Sequence, residues 1–158
     1  MKNLPVVRHF LRILLEPGWA PLGVVGLHLM LAEFGLTESF DHWLHFLGGA
    51  SMGYLLFRLI EMLSLLGASQ GWVRYMVAFT AACTVAVFWE FGEFASDAWL
   101  HTAVQRGLNE TMLDLLFGVV GATVALVLMA AARKVRRLHA YVANAEDAET
   151  GRRDARVP

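Results

Sequence analysis

Long apolar blocks, each bounded by charged or turn-forming residues, set the rhythm of this chain. A hydrocarbon core of about 30 Å is crossed by about 20 helical residues at about 1.5 Å rise each. Four blocks approach or meet that length: Trp19–Leu36, Trp43–Leu66, Trp72–Ala95 and Met112–Ala132. They predict an all-α fold, a polytopic membrane helix bundle of about four transmembrane helices. The first block is the shortest and carries Glu33 near its end. Ahead of it, residues 3–16 place Arg8, Arg12 and Glu16 at four-residue intervals with Val6, Phe10 and Ile13 opposite. That spacing predicts an amphipathic helix lying in the membrane interface, and Pro17-Gly18 then turns the chain into the bilayer.

Composition supports this reading. At 158 residues and 57% hydrophobic, with mean hydropathy +0.51, the chain is too apolar for an ordinary soluble domain of this size. One transmembrane domain is expected over residues 1–144, followed by a disordered cytoplasmic tail at 145–158, where charge is dense and large apolar residues are scarce. The first long apolar stretch starts late and lacks a small-x-small exit, so no cleavable signal peptide is expected. The lone Cys83 sits among Ala and Val and reads as a packing residue.

The net charge of −1 hides a segregation. Lys2, Arg8 and Arg12 lie before the first block, Arg58 and Arg74 flank the second connection, and Arg133, Lys134, Arg136 and Arg137 follow the last block. Acidic residues gather in the first and third connections, Glu38 and Asp41, then Asp97 and Glu110. Basic residues favour the cytoplasmic side, which predicts a bacterial inner-membrane location, multi-pass, with both termini cytoplasmic. Trp19 and Trp72 then fall at the inner interface, and Trp43, Trp89 and Trp99 at the outer one. The bilayer is the expected partner, with a lipid head group or another membrane protein as further candidates, and nucleic acid is not expected.

The candidate chemistry lies at the outer end. Residues three, four and seven apart share a helix face, so Asp41 and His45 form one stripe with His42 beside them, Glu90, Glu93 and Asp97 a second, and Glu110 and Asp114 a third. Glu90 lies about 27 Å along a helix entered at Trp72, just inside the outer hydrocarbon edge, where a carboxylate is costly unless paired or metal-bound. Inward from Asp114 come Gly118, Gly121 and Ala125; inward from His45 come Gly48, Gly49 and Met52; inward from Glu90 come Ala86 and Cys83. Small residues mark faces where membrane helices approach closely, so these stripes should converge on the bundle axis. Asp41, His45, Glu90, Glu93 and Asp114 are the ligand or metal candidates. His42, Asp97 and Glu110 are secondary, and solvated helix ends account for Glu38, Asp97 and Glu110 equally well. His28, about halfway across the first block, reads as an interhelical hydrogen-bonding residue or a proton relay. Arg58 and Glu61 read as a local ion pair of small energetic value.

Oxygen and imidazole donors suit a divalent metal ion, which is the cofactor such a set can hold. The same groups could share protons or recognise a lipid head group. No stringent metal motif, catalytic triad, phosphate loop or nucleotide fingerprint occurs.

At these residues the chain resembles the VanZ-like integral membrane proteins and the related YjdF-type inner-membrane proteins. The resemblance rests on Asp41-x-x-x-His45-Phe46 with Gly49, on Trp89-Glu90-x-x-Glu93, and on Glu110-x-x-x-Asp114-Leu115 with Gly121 and Ala122, over about residues 38–125. Glu93 stands where VanZ-like chains commonly carry glutamine, and Gly118 where they carry asparagine, which tilts the likeness toward the YjdF-type branch. It implies an envelope protein of few helices and supplies no reaction. The leading expectation is an envelope-related membrane protein binding a metal ion, proton or lipid head group at this pocket. The alternatives are a metal-dependent membrane enzyme acting on a lipid or lipid-linked phosphate, and a structural helper subunit of a membrane complex.

Overall fold

The computed structural model describes residues 8, 11, 12, 15–63, 67 and 70–154, with side chains described as far as residue 144. Four helices follow one another: α1 (Trp19–Glu33), α2 (Thr37–Met62), α3 (Gly71–Leu100) and α4 (Leu108–Asp154). No strand occurs among the described residues. The described residues fall into two compact units, divided between Leu126 and Val127.

The helix ends follow local chemistry. Gly35 adopts φ 65°, the left-handed conformation that glycine takes without a Cβ penalty. The amide of Leu36 donates to the carbonyl of Leu31 at 2.8 Å and that of Gly35 to Ala32 at 3.0 Å, a Schellman closure that ends α1 at Glu33 instead of Leu36. α2 then starts at Thr37, ahead of the expected membrane span, so that Asp41 and His42 lie within the helix. Its expected end at Leu66 lies outside the described residues. α3 runs to Leu100 and is capped by His101 in the left-handed region. α4 continues to Asp154, past the expected stop at Ala132 and into the segment expected to be disordered. Residues 130–144 consist largely of Ala, Leu, Lys and Arg, all strong helix formers, with no Gly or Pro to stop the helix. The expected interfacial helix over 3–16 lies mostly outside the described residues; Leu11, Arg12 and Leu15 are helical and exposed.

Two helices are long and apolar enough to cross a membrane, Gly71–Leu100 and Leu108–Asn144. α1, at 15 residues, is apolar but short. α2, with 26 residues, has the length but carries Glu38, Asp41, Arg58 and Glu61. The surface is inverted relative to a soluble protein. Trp19, Leu29, Phe88, Phe91, Phe94 and Leu116 are all exposed, while Ser51, Glu90 and Asp114 are buried. An apolar exterior of this extent needs a hydrocarbon solvent or a partner.

The centre of the first unit is built from small residues. A Cβ on Gly49 would lie 1.9 Å from the Gly118 carbonyl oxygen, and one on Gly121 would lie 1.9 Å from that of Phe46. α2 and α4 thus touch backbone to backbone, a contact open only to glycine. Ala86 of α3 closes on the same place, its Cβ 3.5 Å from where a Gly118 Cβ would stand. The expected convergence of Gly49, Gly118, Gly121 and Ala86 is therefore seen. Gly48 is the exception, with nothing within 4 Å of a Cβ. Toward the other end, Phe57 is fully buried and packs on Tyr75, ring centroids 4.3 Å apart.

Candidate functional site

Above this crossing, α2, α3 and α4 deliver their ionisable side chains to one place. His45, one turn above Gly49, stands at the centre. Its Nδ1 lies 3.5 Å from Glu90 Oε1 on α3, and its Nε2 lies 3.7 Å from Asp41 Oδ1 and 3.9 Å from Asp114 Oδ1. Glu90 is 4% exposed, and neither of its carboxylate oxygens has a hydrogen-bond partner. Glu93, one turn further along α3, accepts a 2.8 Å hydrogen bond from the indole of Trp89. One donor atom each from His45, Glu90 and Glu93 lie within 4.8 Å of one another.

A second group surrounds His42. Its Nδ1 lies 2.8 Å from Asp114 Oδ1 and its Nε2 3.7 Å from Glu110 Oε2. The ring stacks on Phe117 at 5.1 Å between centroids, 12° from parallel. A separation of 2.8 Å is a hydrogen bond, which gives the buried Asp114 a partner of its own. His42, Glu110 and Asp114 form one set of donor atoms within 4.8 Å, and Asp41, His45 and Asp114 another.

The connection between α3 and α4 lies across the cluster. Asp97 accepts from the Thr102 hydroxyl and from the amides of Val104 and Gln105, at 2.5 to 2.9 Å, and so folds that connection back on itself. Gln105 in turn donates to the Glu90 carbonyl at 3.2 Å, and Arg106 pairs with Asp41 and, at 4.0 Å, with Glu110.

All five leading candidates therefore gather in one region, and the secondary ones divide. His42 and Glu110 belong to the cluster, whereas Asp97 belongs to none of the donor groups and serves as the anchor of the connection. Glu38 is exposed. Gln105 and Arg106 had no signal in the sequence beyond proximity to Glu110, because helical periodicity does not reach into a seven-residue connection. His28 makes no side-chain hydrogen bond among the described residues. It lines a cavity of about 140 Å³ that runs from His45 down between α1, α2 and α3.

The arrangement offers imidazole and carboxylate donors at separations a single ion can bridge. Ligand atoms about 2.0–2.2 Å from one divalent metal lie at most about 4.4 Å apart, and the 3.5 Å between His45 and Glu90 falls within that span. With Nδ1 toward the ion, Nε2–H would point to Asp41 and Asp114, the carboxylate–imidazole arrangement that holds metal-binding histidines in one tautomer.

Long apolar helices, an inverted surface and a buried ionisable cluster define a membrane protein. The chain belongs to the family DUF2238, described as predicted membrane proteins, whose model matches residues 15–135 and so includes every residue of the cluster. A curated relative from Thermotoga maritima, described as an uncharacterized protein, is 31% identical over 106 residues, which is 61% of this chain and 53% of the relative. The chain thus spans about half the length of that relative. No solved structure matches it.

Proposed function

We propose that this protein crosses the bacterial inner membrane four times, with both termini cytoplasmic, and holds a divalent cation at the outer end of the bundle. His45 Nδ1, Glu90 and Glu93 are the ligands; Asp41 and Asp114 orient His45 from behind, and Trp89 orients Glu93. The observation that carries this reading is Glu90, whose two oxygens are buried without a hydrogen bond. A buried carboxylate in that state costs several kcal/mol unless a cation or proton neutralises it. Mixed oxygen and imidazole donors suit Mn²⁺ or Zn²⁺ better than Ca²⁺. The positive-inside pattern of basic residues supports the orientation, and the kinship with VanZ-like and YjdF-type proteins read from the motifs supports an envelope role.

The test is Mn²⁺ titration followed by electron paramagnetic resonance, on the full chain in phosphatidylcholine nanodiscs. One bound Mn²⁺ per chain is expected, lost in Glu90→Gln and in Glu93→Gln and kept in Glu38→Gln. A protein that retains no divalent ion, or variants that bind as the parent does, would refute the reading and leave a proton on Glu90 as the neutralising species.

A further inference from the structure

The cavity beneath the cluster has a shape and chemistry that the cation alone does not explain. Its volume is about 140 Å³, and its walls are almost wholly apolar, with Val24 from α1, Met52 from α2 and Val85 from α3 among them. His45 belongs both to this wall and to the ionisable cluster, so apolar space and metal-ligand space meet at one ring. Gly48 keeps the space open: a side chain there would meet nothing within 4 Å. Val25, Val85 and Trp89, which also line it, are exposed, so the cavity opens sideways onto the apolar surface of the helices.

We infer that the cavity takes the alkyl chain of a phosphate-bearing membrane lipid whose head group completes the coordination of the ion held by His45, Glu90 and Glu93. The inference rests on the cation reading above. Among the described residues five carboxylates crowd this end, against one guanidinium, Arg106, so a phosphate oxygen can approach only when a bound divalent ion reverses the local field. Three protein ligands leave coordination positions for such an oxygen. Apolar cavities of about 150 Å³ accept a benzene-sized guest, so about six carbons of a chain fit here. The lateral opening makes the bilayer, not the aqueous phase, the source of the ligand.

The probe pair is hexyl phosphate and inorganic phosphate, titrated against the full chain in phosphatidylcholine nanodiscs with and without Mn²⁺, with empty nanodiscs subtracted. Hexyl phosphate should bind the Mn²⁺-loaded protein at least tenfold more tightly than inorganic phosphate, and neither should bind without Mn²⁺. Gly48→Leu, and independently Val85→Phe, should remove the advantage of the hexyl chain while Mn²⁺ affinity stays at the parental value, which also reports that each variant is folded. Mn²⁺ binding with equal affinity for the two phosphates would overturn this inference alone. Absence of Mn²⁺ binding would overturn it together with the cation site.

Discussion

Two sets of charges, one at each end of α2, show what distinguishes an ionic contact from a site. At the C-terminal end Arg58 pairs with Glu16 and, at 3.2 Å, with Glu61, while Arg12 reaches Glu16 at 3.0 Å. Among the described residues two guanidiniums thus meet these two carboxylates. At the N-terminal end Asp41, Glu90, Glu93, Glu110 and Asp114 share, among the described residues, one guanidinium and two imidazoles. Glu90 is the most enclosed of these, and neither of its carboxylate oxygens accepts a hydrogen bond. Carboxylates and guanidiniums occur at both ends and imidazoles only at the N-terminal one; the two also differ in stoichiometry and burial. A carboxylate that meets a guanidinium is neutralised by it, whereas a buried carboxylate without a hydrogen bond is costly unless a cation or proton neutralises it.

The sharpest way to break this contrast is to part the helices that create it. Gly49→Leu places a side chain where the Gly118 carbonyl stands. Separating two backbones should cost about 3 kcal/mol or more, read as a large fall in thermal stability and loss of Mn²⁺ binding together. Gly118→Ala meets only ordinary contacts at 3.5 and 3.7 Å and should be nearly neutral, which separates the effect of contact from that of helix propensity.

Next in size is the outer carboxylate itself. Groups that merely orient a metal ligand are worth about 10–100-fold in affinity, so Glu90→Gln should lower Mn²⁺ affinity by about 100-fold or more, measured by titration in nanodiscs. The corresponding change at the C-terminal end of α2, Glu61→Gln, should leave Mn²⁺ affinity unaltered.

A smaller effect is expected at Arg106, the only guanidinium paired with the His45 cluster among the described residues. Removing a half-exposed ion pair is worth about 0.2–1 kcal/mol. Arg106→Ala should therefore raise Mn²⁺ affinity by about two- to fivefold, and less at high salt, because the ion no longer competes with a resident cation. A fall in affinity would mean that the connection is needed to hold Asp41 in place.

The smallest expected effect concerns pH at the C-terminal end of α2. Hydrogen bonds from Arg12 and then Arg58 hold the Glu16 carboxyl below its ordinary value of 4.5. Its contribution to stability is therefore present above that value and is lost as pH falls through the lower value of the folded state. In Arg58→Gln the Glu16 titration, followed by carbon NMR of labelled glutamate, should move upward toward the ordinary range.

Much of the site was legible in advance. Asp41 and His45, Glu90 and Glu93, and Glu110 and Asp114 each lie one helical turn apart, or nearly so, and the glycines below His45 and Asp114 announced which faces would meet. The prominence of His42 was not legible, because neighbours on a helix differ by about 100° and only the rotation of α2 against α4 decides which one faces Asp114. The start of α2 at Thr37 had a local signal, since Gly35 supplied a clear stop for α1, although polar residues 37–42 resemble a connection. The expected end of α4 followed hydropathy, whereas the backbone continued wherever helix propensity allowed.

By itself the sequence determined the helical class, the apolar lengths and the turn-by-turn grouping of acidic and histidine residues, since those depend on contacts between near neighbours in the chain. Which groups meet across helices was decided only by tertiary structure. The docking of Gly49 on Gly118 and of Gly121 on Phe46, together with a connection folded by Asp97, sets the few ångströms that leave Glu61 hydrogen-bonded and Glu90 without a hydrogen bond. Those distances arise from how rigid helices pack, and periodicity along one helix carries no information about its rotation against the next.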